Sequence, residues 1–431
     1  MGLYRYSNQS FRVSRFTLVL FVTYLGLFIF FLSQPPIYSP DTYSYLGLHI
    51  YRYPGYSIFL YILQFIFQGF FERVVVGIQL LFGFIAIFLF ANNCRSILKM
   101  NKFSYLALLA VLTYPYFPTL WIGNNLCSEG LAYPFYLILL TFSFDFLFRQ
   151  QTRKWIHISI VLILLALTRG QFIFISPLLA FLYILKKRKR VFKKPNFFYL
   201  LLFLTLPFVV HILDSSYHKI AHGLFITTPF SYVNAVTLPL FVSKKEDAKS
   251  LKEPDDRQIF INTHTTLDSL GLLASRTGGD KNEQYEIFFQ KFPIICNRTF
   301  HFQSMDYFAQ KYSRQNKNAL LSEVAAKEMM PILIKNNYQN YFSLFFLGTV
   351  RSLFGIIPLI LVFLLMAYSF FSTIKIWTIH SGLLLFTSIL ILSNALLVAF
   401  AAIPIMRYLF YNFFFVILIA FVLFKKITSK P

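Results

Sequence analysis

Apolar stretches long enough to cross a lipid bilayer recur along this chain, and they leave few alternatives for its architecture. The run from Phe16 to Ser33 carries no charge, and comparable runs follow to the end of the sequence. A spanning helix needs roughly 20 apolar residues. Ten spans are predicted, near 16–33, 75–93, 103–120, 130–148, 155–168, 171–186, 198–213, 353–372, 380–402 and 406–424. Those near 155–168 and 171–186 are short for a straight crossing. A length of 431 residues would otherwise suggest about three soluble domains. The expected fold class is instead an all-α polytopic membrane protein. No short apolar region with a small-residue cleavage site precedes these runs, so the first, flanked by Arg12 and Arg15, reads as an uncleaved span.

Charge tests this count. Cytoplasmic loops of membrane proteins collect Lys and Arg. With both termini placed in the cytoplasm, 20 of the 40 Lys and Arg fall on that side, among them Arg5, Arg12, Arg95, Arg149, the run "KKRKRVFKK" (Lys186–Lys194), Lys375, Lys425 and Lys430. Another 15 lie in segment 214–340, and only Arg52, Arg73, Arg169, Arg351 and Arg407 remain, all at the opposite face. The net charge of +23 is therefore topology, and it calls for no nucleic acid. The basic run also suits anionic lipid headgroups.

The acids are more selective. Of 17 Asp and Glu, 13 lie in segment 214–340. The other four are Asp41, Glu72, Glu129 and Asp145. Asp145 stands beside Arg149 near the cytoplasmic end of a span and reads as its structural partner. The remaining three sit at the extracytoplasmic face, where ionisable groups near membrane depth invite a functional reading. Asp41 has a plainer alternative. In "SPDTYSYLG", Ser39 can cap a helix whose first position is Pro40, with Asp41 favouring the helix dipole.

Three modules follow. Residues 1–213 form an N-terminal membrane module of about seven spans, with a first outer loop over 34–74. Residues 214–340, nearly charge-balanced, form a small, mostly helical extracytoplasmic domain. Within it "KKEDAKSLKEPDDRQ" reads as a solvated charge run, while "NEQYEIFFQKF" and "NALLSEVAAKEMMPILI" show helical spacing. Residues 341–431 form a C-terminal membrane module of about three spans, led by an interfacial helix over Tyr338–Gly355. Asn297 begins a glycosylation sequon, "NRT".

Several chemistries lack their motifs. There is no phosphate-cradling Gly-rich loop, no paired-histidine metalloprotease motif and no Ser nucleophile elbow. His218 and His222 have i, i+4 spacing but no evident third ligand; His49 and His211 read as interfacial polar groups. Cys94, Cys127 and Cys296 are too scattered for a disulfide framework or a metal cluster. What remains is carboxylates and arginines on one membrane face. Such a set suits group transfer from a lipid phosphate, with Asp as base and Arg holding the phosphate.

The order of short motifs resembles the GT-C superfamily of multispanning glycosyltransferases. Asp41 is followed by "YRYPGYSIFLYILQFIF" and "VVVGIQLLFGFIAIFLF", similar to that family's first-loop acid, Arg-x-Pro-Gly-Tyr-Pro turn, juxtamembrane helix and second span, with Ser57 for the second Pro. "NNLCSEGLAYPFYLILL" is similar to its Ser-Glu before the fourth span. "ALTRGQFIFISPLLAFL" is similar to its Thr-Arg-Pro turn, with Gly170 for the Pro, and "IPIMRYLFYNFFFVIL" to the Arg-Tyr that opens a late span. Residues 10–210 carry the likeness well and 340–425 loosely.

The resemblance implies an enzyme moving a sugar from a polyprenyl-phosphate donor to an extracytoplasmic acceptor (glycan, lipid or protein), with inversion. Asp41 would be the catalytic base and Glu129 its support. Arg407, Arg169 and Arg52 would bind the donor phosphate, with Arg351 a weaker candidate. Many relatives place two adjacent acids in the first loop; here Asp41 has no adjacent acid. No metal and no cofactor is expected, and a bacterial cell membrane is the expected location. Two rivals stay open. A polysaccharide polymerase or ligase would depend on loop arginines such as Arg276, Arg298 or Arg314. A lipid or polysaccharide transporter would need mid-bilayer polar residues and paired broken helices.

Overall fold

The computed structural model describes residues 14–312 and 315–428, and every regular element among them is helical. Arg5, Arg12, Arg314 and Lys430, named above for their charge, lie outside the described residues. In chain order the first helices are α1 (Arg15–Ser33), α2 (Thr42–Leu46), α3 (Pro54–Phe67), α4 (Phe71–Leu98), α5 (Lys102–Thr113), α6 (Glu129–Phe148), α7 (Trp155–Thr168), α8 (Ile175–Lys187) and α9 (Asn196–His222). Then come α10 (Ser231–Ala235), α11 (Thr237–Val242), α12 (Pro254–Ser269), α13 (Lys281–Pro293), α14 (Phe302–Ala309), α15 (Gln315–Asn336) and α16 (Tyr338–Ser352). The chain closes with α17 (Ile356–Lys375), α18 (Ile379–Ala401), α19 (Met406–Leu409) and α20 (Phe415–Thr428).

Eight of these helical stretches are long and apolar enough to cross a bilayer, so this is a multi-pass helical membrane protein. The other two predicted crossings are shorter. The one near 103–120 is α5, 12 residues long. It gives way to a 3-10 turn over Tyr114–Tyr116, where Pro115 lacks an amide proton to continue the helix. The one near 155–168 is α7, 14 residues long and hence about 21 Å. α6 is buried on nearly every side, and α4, α7 and α8 pack around it. By contrast α1 and α17 keep most of their apolar surface exposed, as lipid-facing helices do.

Basic side chains cap one end of the bundle. Lys425 donates to the Leu98 carbonyl at 2.8 Å, Lys186 to Leu147 at 2.5 Å, and Arg188 to Ile374 and Lys375 at 2.6 and 2.7 Å. Cations thus meet the carbonyl ends of α4, α6 and α17, where the helix dipoles favour them. Asp145 pairs with Arg149 at 3.3 Å and accepts from Asn93 at 2.8 Å. Asp41 and the 214–340 segment lie together at the other end.

That segment is helical, with its own core built around Phe241, Phe260, Phe288 and Phe300. The charge run is not wholly solvated. Asp247 is buried, accepting from the Lys244 amide at 2.8 Å and from Asn337 at 2.7 Å, so it ties the run to the start of α16. α16 buries Tyr341, Leu344, Gly348 and Ser352 at helical spacing against α13 and α18. The sequon at Asn297 lies inside a π-helix, Ile294–His301, with Thr299 buried, which is poor presentation for a glycosylation site.

His301, at the end of that π-helix, packs against Tyr51 of the first loop at 6.0 Å and Phe230 at 4.9 Å. Burial pushes it down to about 4. A histidine held neutral by burial supports folding fully above its unfolded value of 6.5, and that support is lost as pH falls toward 4. About 2 kcal/mol of it is expected to be gone by pH 5. The fall in Tm of detergent-solubilised protein between pH 7.5 and pH 5 should be smaller in His301→Phe than in the unaltered chain. Equal falls would show that His301 already titrates normally.

Candidate functional site

Two turns anchor the site. Pro54 and Gly55 open α3, and Gly55 lies so close to α7 that a Cβ there would meet Thr168 Oγ1 at 2.7 Å and the Leu167 carbonyl oxygen at 2.9 Å. Gly170 answers from the other turn, where a Cβ would stand 2.0 Å from the Tyr53 hydroxyl. The "RYPGY" and "LTRG" stretches are therefore packed into each other. This gives a physical reason for Gly170: no side chain fits there. Between them Arg169 caps α7 in an extended conformation (φ −148°, ψ 107°) that turns its guanidinium toward the start of α6.

The helix expected at Ser39 begins later. α2 starts at Thr42, and Asp41 occupies the cap position without making a side-chain cap bond. Its carboxylate points elsewhere. Arg52 Nη2 donates to Oδ1 at 2.5 Å, and Arg407 Nη1 donates to Oδ2 at 2.6 Å. Arg52 is fixed in turn by Ser44 Oγ at 2.7 Å and lies over the Tyr45 ring at 4.7 Å.

Glu129, the first residue of α6, is the second hub. Arg169 Nη1 reaches Oε1 at 2.5 Å, and Arg407 grips the same carboxylate through Nε and, at 3.3 Å, through Nη2. Arg407 Nη2 also lies 2.7 Å from Cys127 Sγ. Glu129 is almost fully enclosed, with 4% of its side chain exposed. A carboxylate that deep is tolerable only when paired and hydrogen-bonded. All five predicted site residues thus form one chain of contacts, Arg52–Asp41–Arg407–Glu129–Arg169. Three guanidiniums against two carboxylates leave a surplus of one positive charge.

Arg407 can reach both acids because α18 ends at Ala401 and the chain runs extended through Pro404 before α19 begins at Met406. Burial pushes the Asp41 carboxyl up, but Arg407 and Arg52 outweigh it and hold it below the usual carboxylate range. Arg351, the weaker candidate, is elsewhere. It pairs with Glu286 at 2.6 Å, lies over Tyr285 at 4.8 Å and is absent from the cavity wall described next. Glu72 accepts a hydrogen bond from Tyr38 and takes no part in the network.

Asp41, Arg52, Arg169 and Arg407 line a cavity of about 540 Å³. One wall is apolar, from Leu397, Val398, Phe400 and Ala401 at the end of α18. Another comes from the 214–340 segment, between Thr228 and Ala235. No motif marked that stretch, whereas Tyr408, whose ring lies 5.5 Å from the Arg169 guanidinium, belongs to the Arg-Tyr pair quoted from the sequence. His218 Nε2 lies 3.1 Å from Thr228 Oγ1 and 3.5 Å from Asp214. Among the described residues no group of three or more His, Cys, Asp or Glu is placed to hold a metal ion.

The two-hub network makes a stability prediction. Glu129→Gln leaves two guanidiniums without their shared partner and should cost roughly 3 kcal/mol, read as a lower Tm in detergent. Glu129→Gln combined with Arg169→Gln should cost less than the sum of the two single changes, by roughly 0.5–3 kcal/mol. Strictly additive losses would show that the groups do not act together. In comparisons with known proteins, no family model, no curated protein and no solved structure matches this chain.

Proposed function

We propose that this chain is a membrane glycosyltransferase that moves a sugar from a polyprenyl-phosphate carrier to an acceptor at the extracytoplasmic face. The observation that carries the reading is Arg407 held between Asp41 and Glu129 at the wall of a cavity with one apolar side. A polyprenyl-phosphate sugar is a phosphodiester with one negative charge on a long apolar tail. The surplus single positive charge of the network matches the first feature, and the α18 wall suits the second. The cap of basic side chains at the far end of the bundle supports placing that end in the cytoplasm.

On this reading the chemistry is a single displacement. An acceptor hydroxyl gives its proton to Asp41 as its oxygen attacks the anomeric carbon. The bond from that carbon to the phosphate oxygen breaks, and the carrier phosphate leaves with the electron pair and a second negative charge. Arg407 and Arg169 stabilise that charge. One displacement inverts the anomeric centre. Held between two guanidiniums, Asp41 is a weak base. A donor phosphate draws Arg407 toward itself and so raises the basicity of Asp41 when the donor is in place. Glu129 keeps Arg169 and Arg407 side by side.

The rival polymerase or ligase reading relies on loop arginines. Arg276 is bound to Asp268 at 2.5 Å on the domain surface, and neither it nor Arg298 lines the cavity.

In membranes that retain their own acceptor and are supplied with a labelled polyprenyl-phosphate sugar, Asp41→Asn is expected to lower transfer by roughly 10²- to 10⁴-fold. Arg407→Gln should weaken donor use as well as turnover. Undiminished transfer by Asp41→Asn removes that residue from the chemistry and the reading with it.

A further inference from the structure

The cavity wall from the 214–340 segment is built in a way that the donor does not account for. The stretch from Thr228 to Val233 is held at both ends by buried carboxylates. Asp214 accepts from the Thr228 amide at 2.7 Å and from its hydroxyl at 2.9 Å. Glu323, on α15, accepts from the Tyr232 and Val233 amides at 2.9 and 3.0 Å. Between these clamps Phe230 has φ of +156°, a strained backbone for a side chain with a Cβ. Such strain persists only where the surroundings enforce it, and it gathers at functional sites.

The strain presents an aromatic surface. The Phe230 ring lies 5.5 Å from the Tyr51 ring at an interplanar angle of 35°, with His301 behind both. Tyr51 and Phe230 both line the cavity and are partly exposed. Polar groups rim them: Ser231, Tyr232 and Asn234 from the same stretch, and Gln171, whose buried Nε2 has no hydrogen-bond partner. A buried amide donor without a partner is costly and rare.

An aromatic face with an amide and hydroxyl rim matches one class of molecule. A pyranose ring has apolar C–H faces and hydroxyls around its edge. A lipid tail would leave the rim unsatisfied, and a peptide hydroxyl would leave the rings uncovered. The side of Asp41 also matters. Oδ2 faces Arg407, where the donor phosphate is placed, whereas Oδ1 faces Arg52, which lies 5.5 Å from the Tyr51 ring centre.

Resting on the glycosyltransferase reading, the geometry points to a saccharide acceptor. Its terminal sugar stacks on Tyr51 and Phe230 and thereby sets a hydroxyl against Asp41. Tyr51 and Phe230 select the acceptor.

Binding tests this without turnover. The probes are the methyl glycosides of glucose, galactose, mannose and N-acetylglucosamine, added at millimolar concentration to the full chain in detergent and read by saturation-transfer NMR. At least one should receive saturation on the C–H protons of one ring face. Phe230→Ala should cut that signal at least fivefold and Phe230→Tyr should keep it, while both bind undecaprenyl phosphate within twofold of the unaltered chain. If Phe230→Ala does not fold, Tyr51→Ala removes the other ring and is expected to lose the same signal. The proposal is overturned if no glycoside binds, if the signal survives loss of either ring, or if a Ser/Thr peptide binds in their place. Failure of the catalytic reading appears separately, as transfer that persists in Asp41→Asn.

Discussion

Arg407 is bonded to two carboxylates that belong to different parts of the chain, and much of the architecture follows from that. Asp41 comes from the loop after α1, Glu129 from the first turn of α6, and Arg407 from the break between α18 and α19. Removing three guanidiniums and two carboxylates from water is expensive, and the cost is offset only if every group keeps its partner. The packed glycines serve this need. Gly55 and Gly170 let the first-loop turn and the Arg169 turn interlock, and that fixes Arg52 and Arg169 on either side of the acids. The network ties the first loop to the break after α18, and a small shift in one helix would strand a charge.

The sequence exposed this cluster through scarcity. Only four acids lie outside the 214–340 segment, and five arginines escape the basic face, so each stood out against an apolar background. Asp41, Glu129, Arg52, Arg169 and Arg407 could be grouped on that ground before any contact was known. Arg351 satisfied the same criterion and was misplaced, because face alone does not reveal a partner such as Glu286. Ser39 and Pro40 gave a sound local argument for a helix start. The helix nevertheless starts at Thr42, with the Asp41 carboxylate bound by two guanidiniums.

Other features were hidden for the opposite reason. Segment 214–340 contains 13 acids, so Glu323 and Asp214 were indistinguishable from their solvated neighbours. Their role comes from burial and from backbone amides that sit 90 residues or 14 residues away in sequence, and no local pattern encodes that. The strained backbone at Phe230 has no compositional mark either, since no glycine stands there. Apolar periodicity marks ten stretches, of which eight are helices long and apolar enough to cross a bilayer among the described residues. It reports that α5 and α7 are greasy, but not that Pro115 or the extended backbone at Arg169 stops them early.

The brevity of α7 bears on the lipid as well as the protein. From the end marked by Arg153 and Lys154, its 14 residues rise about 21 Å before Arg169. An undisturbed hydrocarbon layer is about 30 Å thick. With Arg153 and Lys154 at one membrane surface, the charged cluster would lie below the opposite headgroups, and lipid would have to thin or water descend to meet it. The phosphate of a carrier lipid would then reach these arginines from a locally dimpled membrane, and bilayer thickness becomes a variable of the site itself.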